Sequence, residues 1–276
     1  MTDTQITGAA ALDILRTHPA LQNSTTIGTE GYSLPDFAEG AKDILLTAET
    51  VPLLASLGVK VSGAFGPGNR LLVGPGLGRN AVELTCRKEP QNNLLVIEGG
   101  RQFRARIGLE REGNLFCAAA SSFAHALKVT FRGGTSMFFA GKDGATSTYV
   151  NCVVEGPGRQ LVIGDEYMFS IGVDLRTTDS HSIIDLKAGT VLNAPEDLVI
   201  GPHVWVATDA LIMKGLEIGR GSIIAARSTV TKSVPNCSLV AGSPARVLRG
   251  DVTWSKASRP SDRVLAELVS RFGEGE

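Results

Sequence analysis

IGPHVW, VATDAL, IMKGLE, IGRGSI, IAARST and VTKSVP follow one another without a gap from Ile200 to Pro235. The first place of each block holds Ile200, Val206, Ile212, Ile218, Ile224 and Val230, all aliphatic. The fifth holds Val204, Ala210, Leu216, Ser222, Ser228 and Val234, all small or aliphatic, while the other places carry most of the glycine and charge. An α-helix would repeat its apolar face every 3.6 residues and a plain strand every second residue. A period of six is made by a short strand followed by a fixed turn, so the chain must coil. One such coil cannot cover its own apolar face. Stacked coils bury a continuous column and satisfy one another's backbone groups in parallel ladders, which predicts a β-solenoid.

Working upstream, IGDEYM, FSIGVD and LRTTDS keep the same rhythm from Ile163, but out of phase with the later run by one residue. The break falls in HSIIDLKAGTVLNAPEDLV, residues 181–199, where polar residues, Gly189 and Pro195 mark a loop leaving the coil. NNLLVIEGG, GNLFCAAA, ALKVTFRGG and STYVNCVVEGPG alternate β-rich runs with glycine turns at looser spacing, which predicts irregular early coils from about residue 91. Residues 1–90 differ in texture. There, Ser33 with Pro35 and Asp36 reads as a helix start, giving a helix-containing cap. Downstream of the coil domain (91–249), the tail 250–276 puts Val264, Leu265, Leu268, Val269 and Phe272 on one helical face after Pro260, a short docking helix.

The 276 residues are 43% hydrophobic, enough for a sizeable core. Lysine and arginine number 27 against 28 acidic residues, so no global field draws in nucleic acid or an anionic membrane. The opening MTDTQITGAAALDILRTHP lacks a basic segment followed by an apolar one, and no later run is long enough for a membrane span, so a cytoplasmic address without integral membrane contact is expected. Cys86, Cys117, Cys152 and Cys237 are widely spaced without a CxxC pair, which predicts reduced and mostly buried thiols. Thirty-two glycines with only 5% aromatics favour tight turns and a core of aliphatic layers.

Over residues 151–249 the chain resembles the hexapeptide-repeat acyltransferases, and among them the polysaccharide and capsule O-acetyltransferases. The resemblance is weak over 91–150 and absent over 1–90. It implies a mainly β chain folded as a left-handed parallel β-helix, with three blocks per triangular turn. The handedness comes from the resemblance alone, since general chirality favours right-handed parallel crossovers. It also implies a homotrimer with sites between neighbouring solenoids, acetyl-CoA as acyl donor, and a sugar or glycan hydroxyl as acceptor.

Acyl transfer from a thioester needs a base for the acceptor proton, donors for the oxyanion and a groove for the coenzyme. His181, in TTDSHSIID, stands at the repeat break beside Asp179, a carboxylate suited to orient an imidazole. Its context is similar to the DxHS histidine that serves as general base in related O-acetyltransferases. Trp205, about one coil and one block further on in IGPHVW, resembles a tryptophan that shapes the acyl site, and is expected in the same cleft. His203 in that block reads as a turn residue pointing outward. IAARSTVTKSVPNCSLVAGSPARVLR resembles the segments lining the coenzyme groove, which assigns Ala225, Ala226 and Gly242 to close ligand approach and Arg227, Lys232 and Arg246 to phosphates. Arg227 departs from the small residue usual there.

Three rivals remain open on the sequence. A γ-class carbonic anhydrase shares the solenoid, but His18, His125, His181 and His203 offer no pair at the required spacing, and no metal is expected. A non-catalytic scaffold has no need of the DSH segment, Trp205 and the AGSPAR turn together. N-acetylation of an amino sugar or antibiotic stays an alternative within the enzyme class.

Overall fold

A computed structural model of the chain describes residues 3–37, 40–75 and 81–273. The hexapeptide reading holds residue by residue. Ile200, Val206, Ile212, Ile218, Ile224 and Val230 all point inward, at most 1% exposed, and Val204, Ala210, Leu216 and Val234 are buried beside them. Leu198 pairs in parallel with Leu216, Trp205 with Ile223 and Leu211 with Thr229, so each of the three faces repeats after three hexapeptide blocks. The first face stacks Arg70–Val73, Leu94–Ile97, Leu115–Ala118, Met137–Ala140, Gln160–Ile163, Leu198–Ile200 and Leu216–Ile218. The second runs from Val59–Ser62 through Ala81–Cys86, Gly100–Leu109, Ser121–Phe131, Tyr149–Val154, Asp174–Arg176 and Leu211–Ile212 to Thr229–Val230. The third begins only at Ala145–Thr146, continues through Met168–Phe169, Trp205–Val206, Ile223–Ile224 and Leu239–Gly242, and ends on the antiparallel strand Ala245–Arg249.

The fixed turns have a visible cause. Glu166, His203, Gly221 and Cys237 occupy successive first-to-third corners, and Gly172, Asp209 and Arg227 successive third-to-second corners, all with φ between +50° and +75°. The left-handed residue reverses the chain in a single step.

Early coils lack the third face and are longer. Leu94 pairs with Leu115, Leu115 with Met137 and Met137 with Gln160, each step exceeding three hexapeptide blocks, and second-face strands of ten and eleven residues replace the missing side. Their second-to-first corners carry a buried polar ladder. Asn93 N and Nδ2 donate to Asn69 Oδ1 (3.1 and 2.8 Å), Asn114 N to Asn93 Oδ1 (2.8 Å) and Ser136 N to Asn114 Oδ1 (3.0 Å). Side-chain oxygens thus satisfy amides that a wide corner leaves without a ladder partner.

Parallel pairing also reaches further upstream than residue 91. Val59–Ser62 pairs with Ala81–Cys86, and Arg70–Val73 with Leu94–Ile97, so the solenoid begins inside the region read as a cap. The helix expected from Ser33 is not formed: residues 32–37 are irregular, and 38–39 lie outside the described residues. Ser33 instead donates through N (3.1 Å) and Oγ (2.6 Å) to the Asp165 carboxylate, so its side chain anchors the segment to a coil. The N-terminal helices are Gly8–Arg16, capped by Thr7, then Pro19–Gln22 and Val51–Ser56. Ala11, Leu15, Ala20, Leu21 and Phe37 pack on the outer side of the first face against Leu72, Leu94, Val96, Leu115, Cys117, Met137 and Phe139. Strands such as LLVI, LFCA and MFFA are therefore buried on both sides, which is why they read as unbroken apolar runs.

At the other end the tail runs back across the first-to-third corners. Val252 N donates to the carbonyl of Cys237 (2.9 Å), Thr253 Oγ1 to that of Gly221 (3.0 Å), Trp254 Nε1 to that of His203 (2.8 Å) and Lys256 Nζ to that of Asp143 (3.2 Å). The helix Asp262–Phe272 then returns, and Phe272 stacks on His203 with centroids 4.9 Å apart. The expected helix forms, but only Phe272 is buried, while Leu265 and Val269 are 46% and 67% exposed. The four cysteines are free and buried. No helix among the described residues is long and apolar enough to cross a membrane.

Glu166 locks this strap. Its Oε2 lies 3.1 Å from His203 Nδ1 and accepts from Arg271 Nη1 at 2.6 Å. These bonds, His203 first, outweigh partial burial and hold its carboxyl down at about 2. A depressed carboxylate stabilises the fold above its ordinary range near 4.5 and loses that contribution as pH falls toward about 2. Amide-exchange protection of residues 262–273 should therefore fall over that interval before the coils unfold. In Glu166→Gln that protection should already be reduced at neutral pH.

Candidate active site

Between Asp174–Arg176 on the second face and Leu198–Ile200 on the first, the chain leaves the coil. Leu161 pairs with Leu198, a step along the chain about twice as long as the one from Leu198 to Leu216. Ile163, Phe169 and Leu175 nevertheless stand in register with Ile200, Val206 and Ile212, so the one-residue phase change is absorbed wholly by this excursion. It forms a small hairpin, with Asp185 N donating to Thr190 O (2.9 Å), Leu192 N to Ile183 O (2.8 Å), and an Ile184–Val191 bridge.

His181 opens the excursion, immediately after Ser180 at φ +64°, and its side chain is exposed. The carboxylate expected to orient its ring is engaged elsewhere. Asp179 Oδ2 accepts from Lys214 Nζ (2.7 Å) and Asn193 Nδ2 (2.7 Å), and Asn193 Nδ2 also donates to the His181 carbonyl (2.9 Å). The Lys214 ammonium holds the Asp179 carboxyl below its ordinary range. Asp185, the other candidate, accepts from the amides of Lys187 and Ala188 in its own turn. Asp179 thus fixes the backbone that presents His181, and among the described residues the imidazole makes no hydrogen bond. Lys214, only 10% exposed, also donates to the Asn193 carbonyl (2.6 Å) and ties both ends of the excursion together. Sequence reading missed it, although a lysine that begins the turn after an inward Ile212 was a signal.

Trp205 stands on the outer side of the third face in a row with Met168, Ile223 and Leu239. Its indole N–H is buried without an acceptor among the described residues, and its ring lies 6.3 Å from that of Trp254. Since His181 leaves the corner between the second and first faces, it and Trp205 belong to different sides of the prism, and one solenoid does not put them on a common face. His203 is also corrected. Its φ of +56° makes it the turn residue expected, but its ring is buried between Trp254 and Phe272 rather than turned outward, with Nε2 3.0 Å from the Trp254 carbonyl.

Ala225, Ala226 and Arg227 form a third-to-second corner, with Gly242 and Arg246 on the adjoining hairpin at the edge of the third face. The amides of Ala225 and Arg227 are committed to the carbonyls of Val240 (2.9 Å) and Thr208 (2.8 Å), so these residues offer a small surface rather than free donors. Gly242 is set by its φ of +103°, and a Cβ there would meet the Pro244 carbonyl oxygen at an ordinary 3.5 Å. Arg227, at φ +58° with its side chain 85% exposed, reaches toward Asp209 (3.8 Å). Arg246 is exposed, and Lys232 is exposed one corner further on, apart from the other five. The His181 corner and the Ala225–Arg227 corner are the two edges of the second face. Between them lies a groove of about 350 Å³, bounded by Asp179 and Asp209 and including Leu211 and Met213. Among the described residues, no group of three or more His, Cys, Asp or Glu side chains is placed to hold a metal ion.

No protein-family model matches the chain. Its sequence is 36% identical over 110 residues to a polysialic acid O-acetyltransferase of Escherichia coli O1:K1, covering 40% of this chain and 34% of that one. It is 36% identical over 90 residues to the galactoside O-acetyltransferase of Escherichia coli K12, covering 32% and 43%. The chain therefore spans only about a third to two fifths of the length of these relatives. A crystal structure of a polySia-specific acetyltransferase superposes with a TM-score of 0.60 at 22% identity, over 79% of this chain and 99% of that one. The chain has the left-handed parallel β-helix fold of such acetyltransferases.

This geometry sets two stability outcomes. Lys214→Ala leaves Asp179 with one partner and should cost about 1–3 kcal/mol in urea unfolding, with faster amide exchange over residues 180–193. Arg227→Gly removes a left-handed side chain that costs roughly 1 kcal/mol, so its unfolding midpoint should be unchanged or higher.

Proposed function

We propose that this β-helix is an acetyl-CoA-dependent O-acetyltransferase acting on a sugar hydroxyl, with His181 as general base. The observation that carries the reading is the second-face groove, which runs from Asp179, two residues before the exposed His181, to Asp209, the carboxylate that Arg227 of the next corner approaches at 3.8 Å. In this reading the pantetheine arm lies along the groove, its phosphates meet Arg227 and Arg246, and its thioester reaches the His181 corner. His181 takes the acceptor's proton as the hydroxyl oxygen attacks the thioester carbon. The tetrahedral oxyanion collapses by expelling the coenzyme thiolate, which recovers a proton from the imidazolium. No acyl-enzyme is formed. Cys237, the thiol next to the coenzyme stretch, is buried with Sγ 3.8 Å from the Phe272 carbonyl and takes no part. The similarity to named O-acetyltransferases supports acetyl as the group and a saccharide as the acceptor.

Trp205 enters from a second copy of the chain. Its partly exposed indole ring on the third face is suited to a partner's His181 corner, where it would pack against the acyl group or the acceptor. A trimer closing three such interfaces has every site made by two chains.

His181→Ala should lower kcat by about 10² to 10⁴ while acetyl-CoA still binds, measured as acceptor-dependent thiol release. Mixing His181→Ala with Trp205→Ala chains after joint refolding should restore part of the activity, because some interfaces regain both side chains. Failure of wild type to bind acetyl-CoA or release thiol with any sugar rejects the transferase. Full activity without complementation rejects only the shared site.

A further inference from the structure

The outer side of the second face continues upstream of His181 as a charged floor that acetyl transfer alone does not require. Strand registry sets Glu83, Arg106, Lys128 and Asn151 in one row and Thr85, Gly108 and Thr130 in the next. Arg87, Glu110 and Arg132 follow at the strand ends, each amide donating to the next coil. Apart from Asn151, these residues line an open groove of about 330 Å³.

Three features make this surface more than a solvated sheet. First, its charge departs from that of the chain, which is −1 overall. The groove and its margin carry Arg87, Arg104, Arg106, Lys128 and Arg132 against Glu83, Glu110 and Glu155, the last ion-paired to Arg132 at 3.6 Å. Arg87 and Arg106 are ion-paired to Glu110 and Glu83 (3.4 and 3.0 Å), whereas exposed Arg104 and Lys128 form no ion pair among the described residues. Second, Gly108 is not demanded by the backbone. It lacks a left-handed φ, and a Cβ would meet its nearest atom, Thr130 Cγ2, at an ordinary 3.5 Å. Glycine here weakens a strand for no folding reason, and its effect is to leave the threonine row open at the middle of the groove. Third, the groove runs to the catalytic corner, because Arg132 Nη1 donates to Ser180 Oγ at 3.5 Å, next to His181.

We propose that this groove is the docking track of a polymeric acceptor and that the acceptor it fits is an anionic polysaccharide. The inference rests on the acetyl-transfer reading of the His181 corner and adds the acceptor's class and path. Donor and acceptor then approach His181 from opposite directions along one face. Arg104 and Lys128 meet the polymer's negative groups, while Thr85 and Thr130 bond its hydroxyls. Glu83 and Glu110 accept from sugar hydroxyls, and they set this floor apart from a site for the dense, donor-poor phosphate backbone of DNA. Arg106, held over the Tyr149 ring at 4.4 Å, stiffens the edge of the track.

The test is binding of fluorescein-labelled polysialic acid to the full chain, with neutral dextran and single-stranded DNA of equal charge as comparisons. Two variants are measured beside wild type: Arg104→Glu with Lys128→Glu, and Gly108→Thr, which fills the gap in the threonine row with a residue that favours strands. Wild type should bind polysialic acid, more weakly as salt rises, and not dextran. Affinity should fall about tenfold or more in each variant. In transfer assays the KM for the polymer should rise with kcat kept, and a monosaccharide acceptor should be unaffected. Absence of polymer binding, unchanged affinity in both variants, equal binding of dextran or tighter binding of DNA overturns the proposal. Polymer binding that depends on the track in a chain that transfers no acetyl group leaves the track standing and removes the transferase reading instead.

Discussion

The stacking of inward aliphatic side chains from coil to coil is the constraint on which everything else in this chain depends. Ile200, Val206 and Ile212 are buried only because Ile163, Phe169 and Leu175 lie beneath them and Ile218, Ile224 and Val230 above. Registry across each interface fixes which residues reach the corners, and therefore which must be left-handed. It also decides what the solenoid can carry outside. A coil may lengthen or throw out a hairpin at a corner without disturbing the column, provided it returns in register, as the 181–199 excursion does. Chemistry is thereby confined to corners and outer faces, and the aliphatic interior contributes rigidity alone.

How much of this was legible depended on whether a feature was local. The six-residue period, the break after the DSH segment and the helix after Pro260 are short-range patterns, and each appears where the sequence put it. Features made by distant pairs were not visible. Ser33 resembles a helix cap because its neighbours Pro35 and Asp36 suit a first turn, yet its hydrogen bonds go to Asp165, 132 residues away. Likewise the early coils hid their start, since Val59–Ser62 and Arg70–Val73 have neither hexad spacing nor a glycine rhythm, and each finds its parallel partner a whole long coil further along the chain.

The candidate site divides along the same line. Exposure of His181 and the left-handed place of Arg227 follow from the repeat. The allegiance of Asp179 does not, because proximity in sequence suggested His181 while the fold supplies Lys214, an ammonium 35 residues away that no local pattern links to it. His203 shows the converse error. A histidine in a turn block reads as outward, but the tail laid over that corner buries it, and the tail's Trp254 and Phe272 are recognisable as its partners only after the chain has returned.

That returning tail alters how the molecule can come apart. A solenoid held only by nearest-neighbour stacking frays from its ends, one coil at a time. Here residues 252–256 bond to Cys237, Gly221, His203 and Asp143, so the last coil cannot peel away without also releasing contacts four coils deeper. The strap turns a one-dimensional array into a longer cooperative unit at the end that bears Trp205 and residues 224–249. Because its contacts exist only once those coils have stacked, it seals the structure after assembly and guides none of the earlier steps.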